Sequence, residues 1–210
     1  GGGTIGGSKD YKYLNRHNAY ELDGHTVRWA SKTIQVSGAK GAWRNAVNRW
    51  KKFTNVRFKY VASKPPEGKG IQILGYKKGG WPGLQCGKAS YLFSGSGKLL
   101  TCKITMNPSS DCRRYELEQN IMTHEIGHCI GFFKHTSDGG LMDATTACAP
   151  DCDITSPVKN MIRLLYSLSP GTDISSKLAL RPATLAQKPN RGNRRPKRKI
   201  LYSFVISTME

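Results

Sequence analysis

Two hydrophobic periods alternate along the chain. Residues 25 to 36 (HTVRWASKTIQV) are rich in β-branched side chains and predict a first strand. The period then changes: Ala42, Trp43, Ala46, Val47, Trp50 and Phe53 recur three and four residues apart, which predicts an amphipathic helix with its lysines and arginines on the opposite face. Val56, Phe58 and Tyr60 alternate with Arg57 and Lys59, giving a half-buried strand, and GIQILGY (70 to 76) follows after a KPPEGKG turn. KASYLF (88 to 93) and LLTCKITMN (99 to 107), joined by SGSGK, predict a hairpin.

From Tyr115 to about Ile130 the pattern is helical again, with Leu117, Ile121, His124 and His128 on one stripe. After a glycine-rich loop, TSPVKNMIRLLYSL predicts a last helix to about Leu168, with Ser156 as cap and Pro157 in the first helical position. The order is therefore β, α, four β, α, loop, α, and the chain has no internal repeat. Its 210 residues suffice for one well-filled core. We expect one domain over residues 1–170 and a basic, mobile tail over 171–210. In that tail KPNRGNRRPKRK (188 to 199) has seven basic residues in twelve and nothing to bury.

Charge narrows the partners. The chain carries +19, of which +7 lies in residues 181 to 210 (eight Lys/Arg against one acid), so residues 1 to 180 are basic in their own right. Such a surface favours anionic surfaces or acidic substrates. The basic run lacks interleaved aromatics, so no specific nucleic acid is expected. No run of eighteen apolar residues exists and no signal peptide is visible, so no transmembrane segment is expected. Six cysteines (86, 102, 112, 129, 148 and 152) point to an oxidising compartment and up to three disulfides among fifteen pairings.

The chemistry is concentrated in HEIGHCIGFFKH, which begins at His124. His124 and His128 lie one helical turn apart on one face, about 6 Å along the axis, so both imidazoles can reach one ion. Zinc suits neutral imidazole and lowers the pKa of water toward about 7, while Glu125, projecting at a different angle, is placed to take the proton as general base. Chance would give HExxH in a chain of this composition on the order of three times in a thousand. His135 is the candidate third ligand. On a continuous helix it would sit roughly 16 Å from His124 along the axis, so the helix must end near Gly131, where glycine can turn the chain back. Asp138 is the alternative third ligand. His17 and His25 are expected at the surface or in turns.

This stretch resembles the metzincin clan of zinc endopeptidases, whose signature is HExxHxxGxxH followed by a methionine-containing turn. It looks closest to small secreted bacterial members whose motif begins HEIGH. His124, Glu125, His128 and Gly131 match by position, and DGGLMD supplies Met142 as the Met-turn residue. The spacing from Gly131 to His135 is one residue longer than the clan's, with Lys134 where the histidine is expected. An extra residue can bulge from a loop, whereas a shift between His124 and His128 would destroy the site.

The resemblance implies an α/β (α+β) fold: a twisted, mixed five-stranded sheet with a backing helix, an active-site helix and a C-terminal helix. It also implies one catalytic Zn2+, secretion, a protein or peptide substrate and a monomer, with KASYLF, including Ala89 and Tyr91, as the edge strand on which substrate lies. Cys86, in LQCG, is taken as a disulfide partner, with Cys102 as candidate mate. The competing function is a cationic binding module for nucleic acid or an anionic cell surface, with a structural or vestigial zinc.

Overall fold

The five segments patterned as strands form one sheet. In a computed structural model, which describes residues 5–52, 55–83, 85–145 and 148–178, they are β1 (Thr33–Ser37), β2 (Arg57–Val61), β3 (Gly70–Tyr76), β4 (Gly87–Phe93) and β5 (Leu99–Met106). The order across the sheet is β2-β1-β3-β5-β4. The pairs β2/β1, β1/β3 and β3/β5 are parallel, and β4 returns antiparallel along β5, making the sheet mixed and β4 an edge.

The inward positions are strictly alternating. Gly87, Ala89, Tyr91 and Phe93 of β4 are buried while Lys88, Ser90 and Leu92 point the other way, as a half-buried strand requires. Against the apolar face lie α2 (Ala42–Lys51) and α3 (Tyr115–Ile130). The helix α2 buries Trp43, Ala46, Val47 and Trp50. At roughly 1.5–3 kcal/mol for each fully buried large apolar side chain, packing rather than intrinsic propensity holds this ten-residue helix. By contrast, α3 is enclosed all round, touching α2 on one side and β4 and β5 on the other, so Thr123, Glu125, Ile126 and Cys129 are buried along with the predicted stripe.

Several expectations need correction. The run 25 to 36 is a strand only from Thr33. Thr26 and Arg28 are extended but bond elsewhere, the Thr26 N–H to the Thr172 carbonyl and the Arg28 N–H to the Gly97 carbonyl. An unexpected helix, α1 (Ser8–His17), precedes it; Leu14 and His17 are buried and Tyr11 and Tyr13 pack half-buried against the core, so its inner face is made mostly of tyrosine and histidine rather than aliphatic side chains. The last helix, α4 (Ser156–Ser167), begins at Ser156 itself, with Thr155 as the extended cap residue and Pro157 in the second position. Residues beyond Leu168 continue into a 3-10 turn, Ser175–Leu178, whose Leu178 is buried, while the basic run 188–199 lies outside the described residues.

Disulfides join Cys86 to Cys112, Cys102 to Cys129 and Cys148 to Cys152. The expected Cys86–Cys102 pair is excluded by register. Cys102 faces Tyr91 across the hairpin, five residues along from Cys86, or roughly 17 Å at strand rise, whereas a disulfide needs Cα atoms within about 7 Å. The Cys102–Cys129 bridge instead ties β5 to the last turn of α3, next to His128.

Candidate metal centre

The centre is built where α3 stops. Gly131 closes the helix with φ 126°, a conformation that strains any residue with a side chain, and its N–H reaches back to the carbonyls of Gly127 and His128. A Cβ at 131 would also lie 2.6 Å from Leu165. The chain then reverses. The Phe133 N–H bonds to the His17 carbonyl, and buried Asn18 donates both side-chain N–H groups, one to the Val27 carbonyl at 2.7 Å and one to the Gly131 carbonyl at 2.8 Å. This reversal returns His135 to the face of α3 that carries His124 and His128.

The three rings converge. Their centroids are 4.7 Å apart for His124–His128 and 5.2 Å apart for each of the pairs with His135. One nitrogen from each lies within 4.8 Å of the other two. Protonation follows from the neighbours. His124 Nδ1 lies 2.6 Å from the Leu141 carbonyl and His128 Nδ1 lies 2.7 Å from the Phe132 carbonyl. A carbonyl only accepts, so both Nδ1 atoms carry the proton and both Nε2 atoms present lone pairs. Yet these two Nε2 atoms face one another at 3.0 Å, and the Nε2 of His135 is buried with no protein partner. Opposed lone pairs at that distance repel unless a positive charge sits between them.

Protonation is a disfavoured source of that charge. Burial, then the neighbouring His135, pushes His124 down to about 3, only partly offset by its bond to Leu141. Burial, then His124 and His135, holds His128 well below the usual imidazole range, and burial also lowers His135. Three neutral, convergent imidazoles fit a borderline divalent metal such as zinc. Asp138, the alternative third ligand, is outside the cluster. One carboxylate oxygen accepts from the Thr136 hydroxyl and the Gly140 N–H, and the other accepts from the Thr155 hydroxyl.

Glu125 is fully buried, and neither of its carboxylate oxygens has a protein partner. Burial raises its pKa well above the ordinary carboxylate value. The space beside it exists because residue 87 is glycine: a Cβ there would come within 2.5 Å of Glu125 Oε1. Met142 is buried beneath α3, and a Cβ on Gly127 would meet its sulfur at 2.7 Å. On β4, Ala89 and Tyr91 turn their side chains inward. Tyr91 stacks on Phe133 at 4.2 Å and donates its hydroxyl to Glu21 at 3.1 Å, so what β4 offers outward is its backbone edge.

His17, expected at the surface or in a turn, ends α1, is buried and stacks on Phe132 at 4.6 Å, while His25 follows a turn with Nδ1 3.0 Å from the Leu22 carbonyl. Asn18, Gly87 and Gly127 were not anticipated. Of these only Gly127 leaves a mark in the sequence, since a mid-helix glycine costs about 1 kcal/mol and asks for a packing reason.

No family model matches this chain, and no curated protein matches it. Among solved structures it is similar to high choriolytic enzyme 1, a hatching enzyme zinc-protease from Oryzias latipes (medaka fish), at 17% identity and a TM-score of 0.29. That match covers 49% of this chain and 44% of the other, so the chain spans less than half the length of the protein it matches.

Proposed function

We propose that this protein is a secreted zinc-dependent endopeptidase. The observation that carries the reading is the pair of facing lone pairs on His124 and His128, 3.0 Å apart with both Nδ1 protons committed to carbonyls, beside a third unpartnered nitrogen on His135. His124, His128 and His135 hold the ion. Zinc bound there supplies Lewis acidity, polarising a peptide carbonyl and acidifying water.

Glu125 acts as general base. Burial raises its pKa above the ordinary carboxylate value, which makes it a stronger base than an exposed carboxylate, and its two unpartnered oxygens are available to a hydrogen of solvent or substrate. It then returns the proton to the leaving amine. Met142 supports the floor of the site under Gly127, and Gly131 makes the chain reversal sterically allowed. The outer edge of β4 around Ala89 and Tyr91 offers backbone groups to a substrate peptide lying as an added strand. Three disulfides support an oxidising, extracellular setting.

Glu125→Gln tests the assignment. Peptide cleavage should fall by at least about a hundredfold, the usual scale for removing a general base, while one zinc per chain is retained. Undiminished cleavage by that variant would remove Glu125 from the mechanism. A structural zinc on a cationic binding module explains the +19 charge but not a buried, unpartnered carboxylate, since a structural site needs no base and closes its fourth position.

A further inference from the structure

The second face of the sheet has a chemistry of its own. None of the five strands contains Asp or Glu, yet Arg57, Lys59, Lys88 and Lys103 all lie on the face turned away from α2 and α3. Between them are hydroxyl and amide groups, including Gln72, Ser90 and Thr105. The register arranges these in a checkerboard. Lys88 pairs with Thr105 and Ser90 pairs with Lys103, so the two lysines lie on a diagonal about 7–8 Å apart, each with a hydroxyl opposite. Arg57 and Lys59 extend the cationic face to the far edge strand, four strand spacings or about 19 Å away.

Over the Lys88–Lys103 diagonal the segment after β3 forms one wall of a groove of about 560 Å³, lined by Leu74, Lys77, Trp81, Lys88, Lys103 and Thr105 among others. Trp81 is half-buried there, its indole N–H donated to the Lys77 carbonyl at 2.7 Å. Its polar edge is therefore satisfied within the protein, which leaves the ring to serve as a flat apolar contact. Leu74, 38% exposed, is the exposed large hydrophobic residue beside it.

We infer that this groove is a docking site for an acidic polysaccharide, with sulfate or carboxylate groups on Lys88, Lys103 and Lys77, ring hydroxyls on Thr105 and Ser90, and one sugar face on Trp81. Charge complementarity selects a polyanion: Arg57, Lys59, Lys88 and Lys103 share one face of a sheet whose strands contain no carboxylate. Shape and ring count select the class. A bilayer is flat and cannot enter a concave groove, and unstacked bases are read by successive aromatic platforms, whereas this groove offers one. The site is on the opposite face of the sheet from α3, so its occupation does not depend on whether the metal centre cleaves peptides.

The test uses the full chain and a heparin-derived dodecasaccharide, with affinity measured by calorimetry across a salt series. Lys88→Glu combined with Lys103→Glu should weaken binding about tenfold or more and reduce the salt slope by about two, one for each lost contact. Trp81→Ala should weaken binding with the slope unchanged, because a ring contact releases no counterion. Lys9→Glu with Lys12→Glu on α1, the same change in net charge elsewhere, should alter affinity less than about twofold, all variants keeping wild-type circular dichroism and zinc content. Equal losses from both pairs would make net charge the cause and overturn the groove. So would loss of all binding on changing the seven basic residues of 188–199 to Gln. A 20-base-pair duplex bound as tightly as the oligosaccharide at equal salt would overturn the ligand class.

Discussion

Asn18 gives the sharpest test of how the metal centre is held, because it never touches the ion. Its side chain is fully buried and makes three hydrogen bonds: Nδ2 to the carbonyls of Val27 and Gly131, and Oδ1 from the Val27 N–H at 3.0 Å. Asn18→Asp preserves shape, so no cavity term arises, but it replaces a double donor with an oxygen aimed at two carbonyls. Two hydrogen bonds are lost at about 1 kcal/mol net each, and leaving buried carbonyls unsatisfied adds about 1–3 kcal/mol. The expected destabilisation is therefore about 3–5 kcal/mol, a large share of the roughly 5–15 kcal/mol that a domain has. Urea unfolding at pH 7, with chelator present, measures it. Because the Gly131 carbonyl marks the reversal that returns His135, zinc affinity should fall as well, by about 10- to 100-fold as for other supporting partners of a metal site. Lowering the pH should recover part of the loss in Asn18→Asp, since a protonated carboxyl donates again, but not in Asn18→Ala. A variant within about 0.5 kcal/mol of wild type and of equal zinc affinity would refute the claim that this side chain fixes the reversal.

Two further outcomes follow from buried contacts. Gly127→Ala should gain about 1 kcal/mol in helix propensity but lose more, a net cost of about 1–2 kcal/mol in thermal or urea unfolding, because its Cβ would meet the Trp50 ring at 2.6 Å and the Met142 sulfur at 2.7 Å. Adding Met142→Ala should relieve part of that clash, giving a non-additive double-mutant cycle, and strict additivity would separate Met142 from Gly127. His17 is held down to about 4, first by burial and then by Arg16 and Lys134, against an ordinary 6.5. The unfolded chain therefore binds the extra proton between those values, so the stability from neutral His17 is full above pH 6.5 and is lost as pH falls toward 4. His17→Phe, which keeps the stack on Phe132, should flatten the wild-type pH dependence in that window by on the order of 1–3 kcal/mol in urea midpoints, and an unchanged slope would contradict the assignment.

What the sequence disclosed depended on whether the governing interaction was local. The strands β3 and β5 and the helix α3 were legible to within a residue because period-two and period-3.6 patterns are written in neighbouring positions. The helix end at Gly131 was legible for a geometric reason: three imidazoles cannot meet if a helix runs through residue 135. The disulfide mates were not, because pairing depends on strand register, and Cys102 finds Cys129 only after α3 has been laid across β5. Nor was α1, whose inward face holds a single aliphatic residue, Leu14, among tyrosines and a histidine; it docks near α4 and the closing 3-10 turn.

The same distinction explains the metal centre's inner support. The facing nitrogens of His124 and His128 are set by the carbonyls of Leu141 and Phe132, groups every residue possesses and no sequence can advertise. His124 is thus oriented by the loop that also carries Met142, and His128 by the first residue past the Gly131 reversal. The loop touches all three parts of the site: the Leu141 carbonyl holds His124, the Met142 side chain packs under Gly127, and the Met142 carbonyl accepts the Thr136 N–H next to His135. Insertions should therefore be tolerated at 134, on the outside of the reversal, and not between 140 and 142, where the backbone itself holds an imidazole.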